Sequence, residues 1–186
     1  MAKLNRDLVV VEALDLLDEV GLDGVSTRKL AQRLGVEQPS LYWHFRKKED
    51  LLAAMAEAAM APHATAGLPA PTDDWHAWFL DNFRSFRAAL LLRRDGARLH
   101  AGLVPGAADR GRITHKLAFL IGCGVPERDA QMAMLAAGRF TVGSVLEQQA
   151  EAGPPGPVDH GSAFEAGLTL ITDGLANRAG RPPGTR

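Results

Sequence analysis

From Leu8 to the last third of the chain, apolar residues recur at three- and four-residue steps. Val, Ile and Thr never alternate with polar residues over the length of a strand. A period near 3.6 buries one stripe of a helix, whereas a period of two buries one face of a strand. The pattern therefore predicts an all-α chain.

Glycine and proline divide that pattern into segments. Leu8, Val11, Leu14 and Val20 lie on a first amphipathic helix that Gly21 and Gly24 end. Ser26 or Thr27 caps a short second helix through Leu34, Gly35-Val36 makes a tight turn, and a third short helix starts near Gln38. Pro39 then stands at an early position, where its missing N–H does no harm. A fourth helix runs from Lys48 to Met60, followed by a connector from Pro62 to Thr72. Further helices are expected over residues 73–92, in a short piece reaching His100, and over 108–121, 126–152 and 162–177. A breaker cluster, GPPGPVDHG, precedes the last, and the tail AGRPPGTR reads as disordered. The expected domains are 1–48 as a three-helix head, 49–178 as a helical body and 179–186 as the tail.

Charge is uneven although the net value is only −1. Between Ser26 and Lys48 stand Arg28, Lys29, Arg33, Arg46, Lys47 and Lys48 against Glu37 alone; the first helix and its turn carry Glu12, Asp15, Asp18, Glu19 and Asp23. A local basic patch suits an electrostatic footprint for a polyanion. The single cysteine, Cys123, excludes an internal disulfide, and MAKLNRDLVV has no long apolar run. The expectation is a cytoplasmic protein with no membrane span.

Three short helices with a glycine turn before the third have the layout of a helix-turn-helix, whose last helix enters the major groove. Gln38 can pair with an adenine edge and Arg28 with a guanine edge, while Tyr, His and Lys suit phosphates. In EQPSLYWHF, Tyr42 and His44 are then expected toward nucleic acid. Leu41 and Phe45, four apart, face the core, and Trp43 lies on the flank, packing and donating to a phosphate. The competing assignment makes these rings the core of a small head.

The segment TRKLAQRLGVEQPSLYWHFRKKEDLL resembles the DNA-binding head of the tetracycline-repressor (TetR) family. The likeness continues collinearly through WHAWFLDNFRSFRAALL, RRDGARLH, KLAFL, RFTVGSVLEQQ and FEAGLTLITDGL. It implies that Arg28 reads a guanine and Gln38 an adenine. Pro39, Ser40 and Tyr42 would touch bases or methyl groups, and Thr27, Trp43, His44 and Lys48 would hold phosphates.

In the body, Trp75, Phe79, Asn82, Phe86 and Leu90 share one stripe. Asn82, its polar member, needs partners. Either backbone supplies them within a core, or a ligand does, with Phe86 as an apolar wall. The resemblance implies that Asn82 and Phe86 contact a drug. It also implies that His100 ligates Mg²⁺ only together with a chelating ligand, and that Glu147 reaches the metal's waters from the other subunit. No cofactor is required by the free protein. The chain departs from that pattern. Ala64 stands where those repressors have a histidine, Leu103-Val104-Pro105 replaces Thr-Arg-Pro, and Lys116 replaces a glutamine, offering a cation to an anionic ligand group. The run from Gly153 to Gly161 is too short for a further helix.

Small residues in the two late helices (Ala136, Ala137, Gly138, Gly143, Ser144, then Gly167 and Gly174) imply close helix approach. This occurs either within one subunit or in a two-fold four-helix bundle, and the resemblance favours the dimer. The expected function is a homodimeric repressor on a palindromic double-stranded DNA operator. It is released by a small hydrophobic or drug-like inducer, Mg²⁺-tetracycline among the candidates, when the Asp95–Pro105 segment moves. One alternative is a DNA-binding regulator with a vestigial pocket. The other is a hydrolase built on His100 and Glu147 with Asp95 or His115; no nucleophile–base or HExxH signature supports an enzyme.

Overall fold

The computed structural model describes residues 4–101, 106–151 and 158–179. Among them every regular element is helical: α1 (Arg6–Val20), a single 3₁₀ turn (Leu22–Gly24), α2 (Thr27–Leu34), α3 (Gln38–Tyr42), α4 (Lys48–Ala64), α5 (Trp75–Leu91), α6 (Gly96–Ala101), α7 (Ala107–Gly122), α8 (Glu127–Ala150) and α9 (His160–Ala179). The tail from 180 onward and the breaker run 152–157 lie outside the described residues.

The chain divides into two compact units, Met1–His63 with Ala88–Leu103, and Ala64–Arg87 with Val104–Arg186. This division differs from the boundary expected at residue 48, because α4 and α6 share the head's apolar cluster. That cluster joins Val9, Leu14 and Leu17 of α1, Leu30 of α2, Leu41 and Phe45, Leu51 and Met55 of α4, and Leu99 of α6.

Local signals set the head's turns. Asn5 and Ser26 cap α1 and α2 by accepting from the Leu8 and Lys29 N–H groups at 2.8 and 3.2 Å. Gly35 ends α2 in the left-handed region at φ 65°, where a side chain would be strained. Pro39 sits in the first turn of α3. α4 departs from expectation: it continues past Pro62 to Ala64 instead of stopping before the proline. Both Pro62 and Ala58, whose carbonyl loses its partner there, are exposed, so water can satisfy that carbonyl.

The second unit packs around Phe79 and Phe83 of α5, Phe119 and Leu120 of α7, Ala137 of α8 and Phe164 and Leu168 of α9. Gly167 of α9 lies under the Phe140 ring of α8; a Cβ there would collide with that ring. Phe140 in turn stacks on Phe164 at 5.6 Å. Gly143 and Gly174 meet nothing within 4 Å. The small residues thus serve two purposes: Gly167 permits close packing within the chain, and the other two lie on open faces.

Candidate functional site

The basic patch of the head separates into paired and exposed cations. Arg33 donates to Glu12 at 2.7 Å and to Glu19 at 2.6 Å, so it ties α2 to α1. Arg28, Lys29, Arg46, Lys47 and Lys48 are exposed. Beneath them Leu41 and Phe45 are buried, at 3% and 5% exposure, while Tyr42 is 49% and Trp43 90% exposed. Two rings of the YWHF run therefore face solvent, and the flank packing expected of Trp43 does not occur.

Gln38 connects α2 and α3. Its Nε2 donates to Thr27 Oγ1 at 3.0 Å and lies 3.4 Å from the Tyr42 hydroxyl. Thr27, Gln38 and Tyr42 thus form one bonded group at the start of α3. A two-ended pairing of Gln38 with an adenine edge needs the amide nitrogen, so it would exchange the longer Tyr42 contact. Pro39 is exposed, and Ser40 and His44 are half-buried. Sequence reading missed Arg6. Its guanidinium lies 4.5 Å over the Phe45 ring and donates to the His44 carbonyl at 3.2 Å, holding the C-terminal side of α3. The offset between Arg6 and a ring beyond the third helix is tertiary and leaves no local signal.

The acidic face of α1 also has partners within the first unit. Arg93 bonds Asp15 at 3.2 Å and Asp18 at 2.6 Å; the Arg94 N–H donates to Asp18 at 2.9 Å; Arg98 donates to Asp23 at 2.9 Å. Asp95, held at φ 55°, accepts from the Leu22 N–H at 2.7 Å. Residues 93–98 thereby clasp the end of α1 and the turn after it. The hydrogen bond from Arg98 holds the Asp23 carboxyl below its ordinary range.

Of the residues nominated for a ligand, Asn82, Phe86, Lys116 and Glu147 belong to the second unit and His100 to the first. Leu103, Val104 and Pro105 lie outside the described residues. Glu147 is exposed on α8, and Phe86 is half-buried against the second core. Asn82 and Lys116 meet directly: Lys116 Nζ donates to Asn82 Oδ1 at 2.6 Å. Lys116 is only 8% exposed, and burial, with the Arg112 charge one turn earlier, pushes its ammonium down to about 8. Arg112 itself donates to the Ala66 carbonyl at 2.7 Å.

Mg²⁺ prefers a shell of oxygens, and among the described residues no group of three or more His, Cys, Asp or Glu side chains could by itself hold a metal. The side chain bonded to Asn82 is a cation. Among the described residues no helix is long and apolar enough to cross a membrane.

Residues 9–55 match the family model described as bacterial regulatory proteins, tetR family, and residues 68–157 match a tetracyclin repressor-like C-terminal domain. The chain is 46% identical to the tetracycline repressor protein class A from transposon 1721 of Escherichia coli, covering 96% of this chain and 93% of that protein. A solved TetR-family transcriptional regulator from Streptomyces coelicolor is 70% identical with a TM-score of 0.77, covering 93% of this chain and 98% of its own. TetR class A in complex with 5a,6-anhydrotetracycline and magnesium is 48% identical with a TM-score of 0.80, covering 94% and 99%. With its helix-turn-helix head and helical body, the chain belongs to the TetR family of transcriptional regulators, close to the tetracycline repressors.

Proposed function

We propose that this protein is a homodimeric repressor that binds a near-palindromic double-stranded DNA operator and is released by a small hydrophobic or drug-like molecule. The observation that carries the DNA-binding part is the exposed face of α2 and α3. Tyr42 and Trp43 stay in solvent, as do Arg28 and Lys48, while Leu41 and Phe45 of the same run are buried. Large rings left out of a core, with cations exposed in the same head, suit phosphate and base contacts rather than packing. In this reading Arg28, Gln38, Pro39, Ser40 and Tyr42 meet bases, and Thr27, Trp43, His44 and Lys48 hold the backbone.

The dimer reading is supported by the outer face of α8 and α9. Met132, Leu135 and Leu170 are 51%, 43% and 74% exposed, and Gly143 and Gly174 have no neighbour within 4 Å. A groove of about 780 Å³ between the two helices is lined by Met132, Ala136, Leu170 and Gly174 with Arg128 and Arg178. An exposed apolar stripe rimmed by charge is a common mark of an interface. In two-fold dimers of helix-turn-helix proteins the two recognition helices meet half-sites about one DNA turn apart.

Release requires a ligand that binds the DNA-incompetent state more tightly than the competent one. Asn82 and Phe86 supply the amide and the apolar wall for it. The experiment is selection from a pool of random duplexes with purified protein. The expected result is enrichment of one sequence with two mirrored half-sites. Enrichment of no sequence overturns the repressor reading, whereas enrichment that no compound reverses leaves a regulator with a vestigial pocket.

A further inference from the structure

Lys116 poses a problem of charge. An ammonium buried to this extent is costly unless a counter-charge stands beside it. Asn82 supplies only the dipole of an amide oxygen, at 2.6 Å. One turn earlier on the same helix stands another cation, Arg112, whose charge acts on Lys116. Arg112 is answered by a backbone carbonyl, that of Ala66, and not by an acid. Among the described residues no carboxylate pairs with either side chain. Two neighbouring cations in an aromatic body, with no described acid between them, leave an unfilled preference for negative charge.

The surroundings give the rest of the ligand's chemistry. Asn82 stands one turn after Trp78, which meets Phe119 edge-on at 5.1 Å, and one turn before Phe86. Phe119 follows Lys116 by three residues on α7. The cation is buried in a unit whose core is rich in aromatic rings, where an ionic contact is screened far less than in water.

Resting on the ligand-responsive reading above, we propose that the body takes an organic anion without a metal. The anion is a carboxylate or enolate on an apolar, aromatic frame, with Lys116 as its charge partner and Asn82 beside it. A metal ion would add positive charge where two cations already stand. The contact is ionic and hydrogen-bonded, with no covalent step.

The test uses two probes of equal shape, naphthalene-2-carboxylate and naphthalene-2-methanol, titrated calorimetrically into the full chain at pH 7 with EDTA present. The wild type should bind the carboxylate about tenfold or more tightly over the alcohol, the size expected for a hydrogen bond to a charged group. Lys116→Gln should lose that preference, and Lys116→Arg should keep it. Circular dichroism of both variants checks that they fold. Equal affinities in the wild type, a preference that survives Lys116→Gln, or binding of neither probe would each overturn the anion site. So would operator release by anhydrotetracycline that needs Mg²⁺ and ignores Lys116→Gln, and that outcome would leave the ligand-responsive repressor standing. Failure of the repressor reading shows separately, as wild-type protein that enriches no duplex without any probe.

Discussion

Single residues carry the sharpest consequences. The depressed Lys116 value means that the folded state binds fewer protons than the unfolded one between about 8 and the ordinary 10.5. Stability then rises with pH across that window, and the penalty is fully present below it. Lys116→Met removes the buried charge and keeps the volume. It should melt above the wild type at pH 7, with the gap closing as pH is raised from 8 toward 10.5. A gap that is independent of pH, measured by thermal denaturation, would contradict this. In the head, Arg28 and Lys48 should separate by kind. Arg28→Ala should cost about 1–3 kcal/mol and relax one base position, whereas Lys48→Ala should weaken all sequences alike. Anisotropy titrations on the enriched duplex and its single-base variants measure both. Identical profiles for the two variants would dissolve the distinction between base reader and phosphate anchor. Phe45, at 5% exposure, should behave as core, with Phe45→Ala losing about 3–5 kcal/mol in urea unfolding.

At the scale of elements, the clasp between residues 93–98 and α1 mixes contacts of very different worth. The Arg98–Asp23 pair is open to solvent and should contribute little. Asp95 does two things at once: it holds a left-handed backbone and satisfies the Leu22 N–H. Asp95→Asn keeps an acceptor and tolerates that backbone; Asp95→Ala does neither. Asp95→Ala should therefore lower the melting temperature clearly more than Asp95→Asn or Arg98→Ala, and equal losses would assign the clasp to charge alone. Gly167→Ala should likewise destabilise α8 against α9, because its Cβ meets the Phe140 ring, whereas Gly174→Ala meets nothing. How far these elements were legible follows from how local their causes are. Ser26, Gly35 and Pro39 act within four residues, so the ends of α2 and α3 could be read directly. Pro62 misled, because its cost depends on whether Ala58 faces water, which only the fold decides. The Lys116–Asn82 bond joins residues 34 apart on two helices, and Gly167 under Phe140 joins two more. The polar stripe and the small residues could be seen in sequence, but not what they touch.

For the whole molecule, composition near neutrality conceals a chain that uses its charges in two ways. Glu12, Asp15, Asp18 and Glu19 of α1 are taken up by Arg33 and Arg93, and Asp23 of the following turn by Arg98, whereas Arg28, Lys29, Arg46, Lys47 and Lys48 are exposed. The exposed apolar side chains of α8 and α9 give the same kind of contrast in the body. Leu170→Glu should disturb no packing within the chain, since Leu170 is 74% exposed, yet it should prevent a second copy from docking. Light scattering should then find a folded monomer, with helical content unchanged.

The measurement that tests the account most directly is sedimentation of wild-type and Leu170→Glu protein on the enriched duplex. The account predicts two chains per duplex for the wild type, bound across two mirrored half-sites, and loss of specific binding in the variant. One chain per duplex, or undiminished specific binding by the monomeric variant, would contradict it.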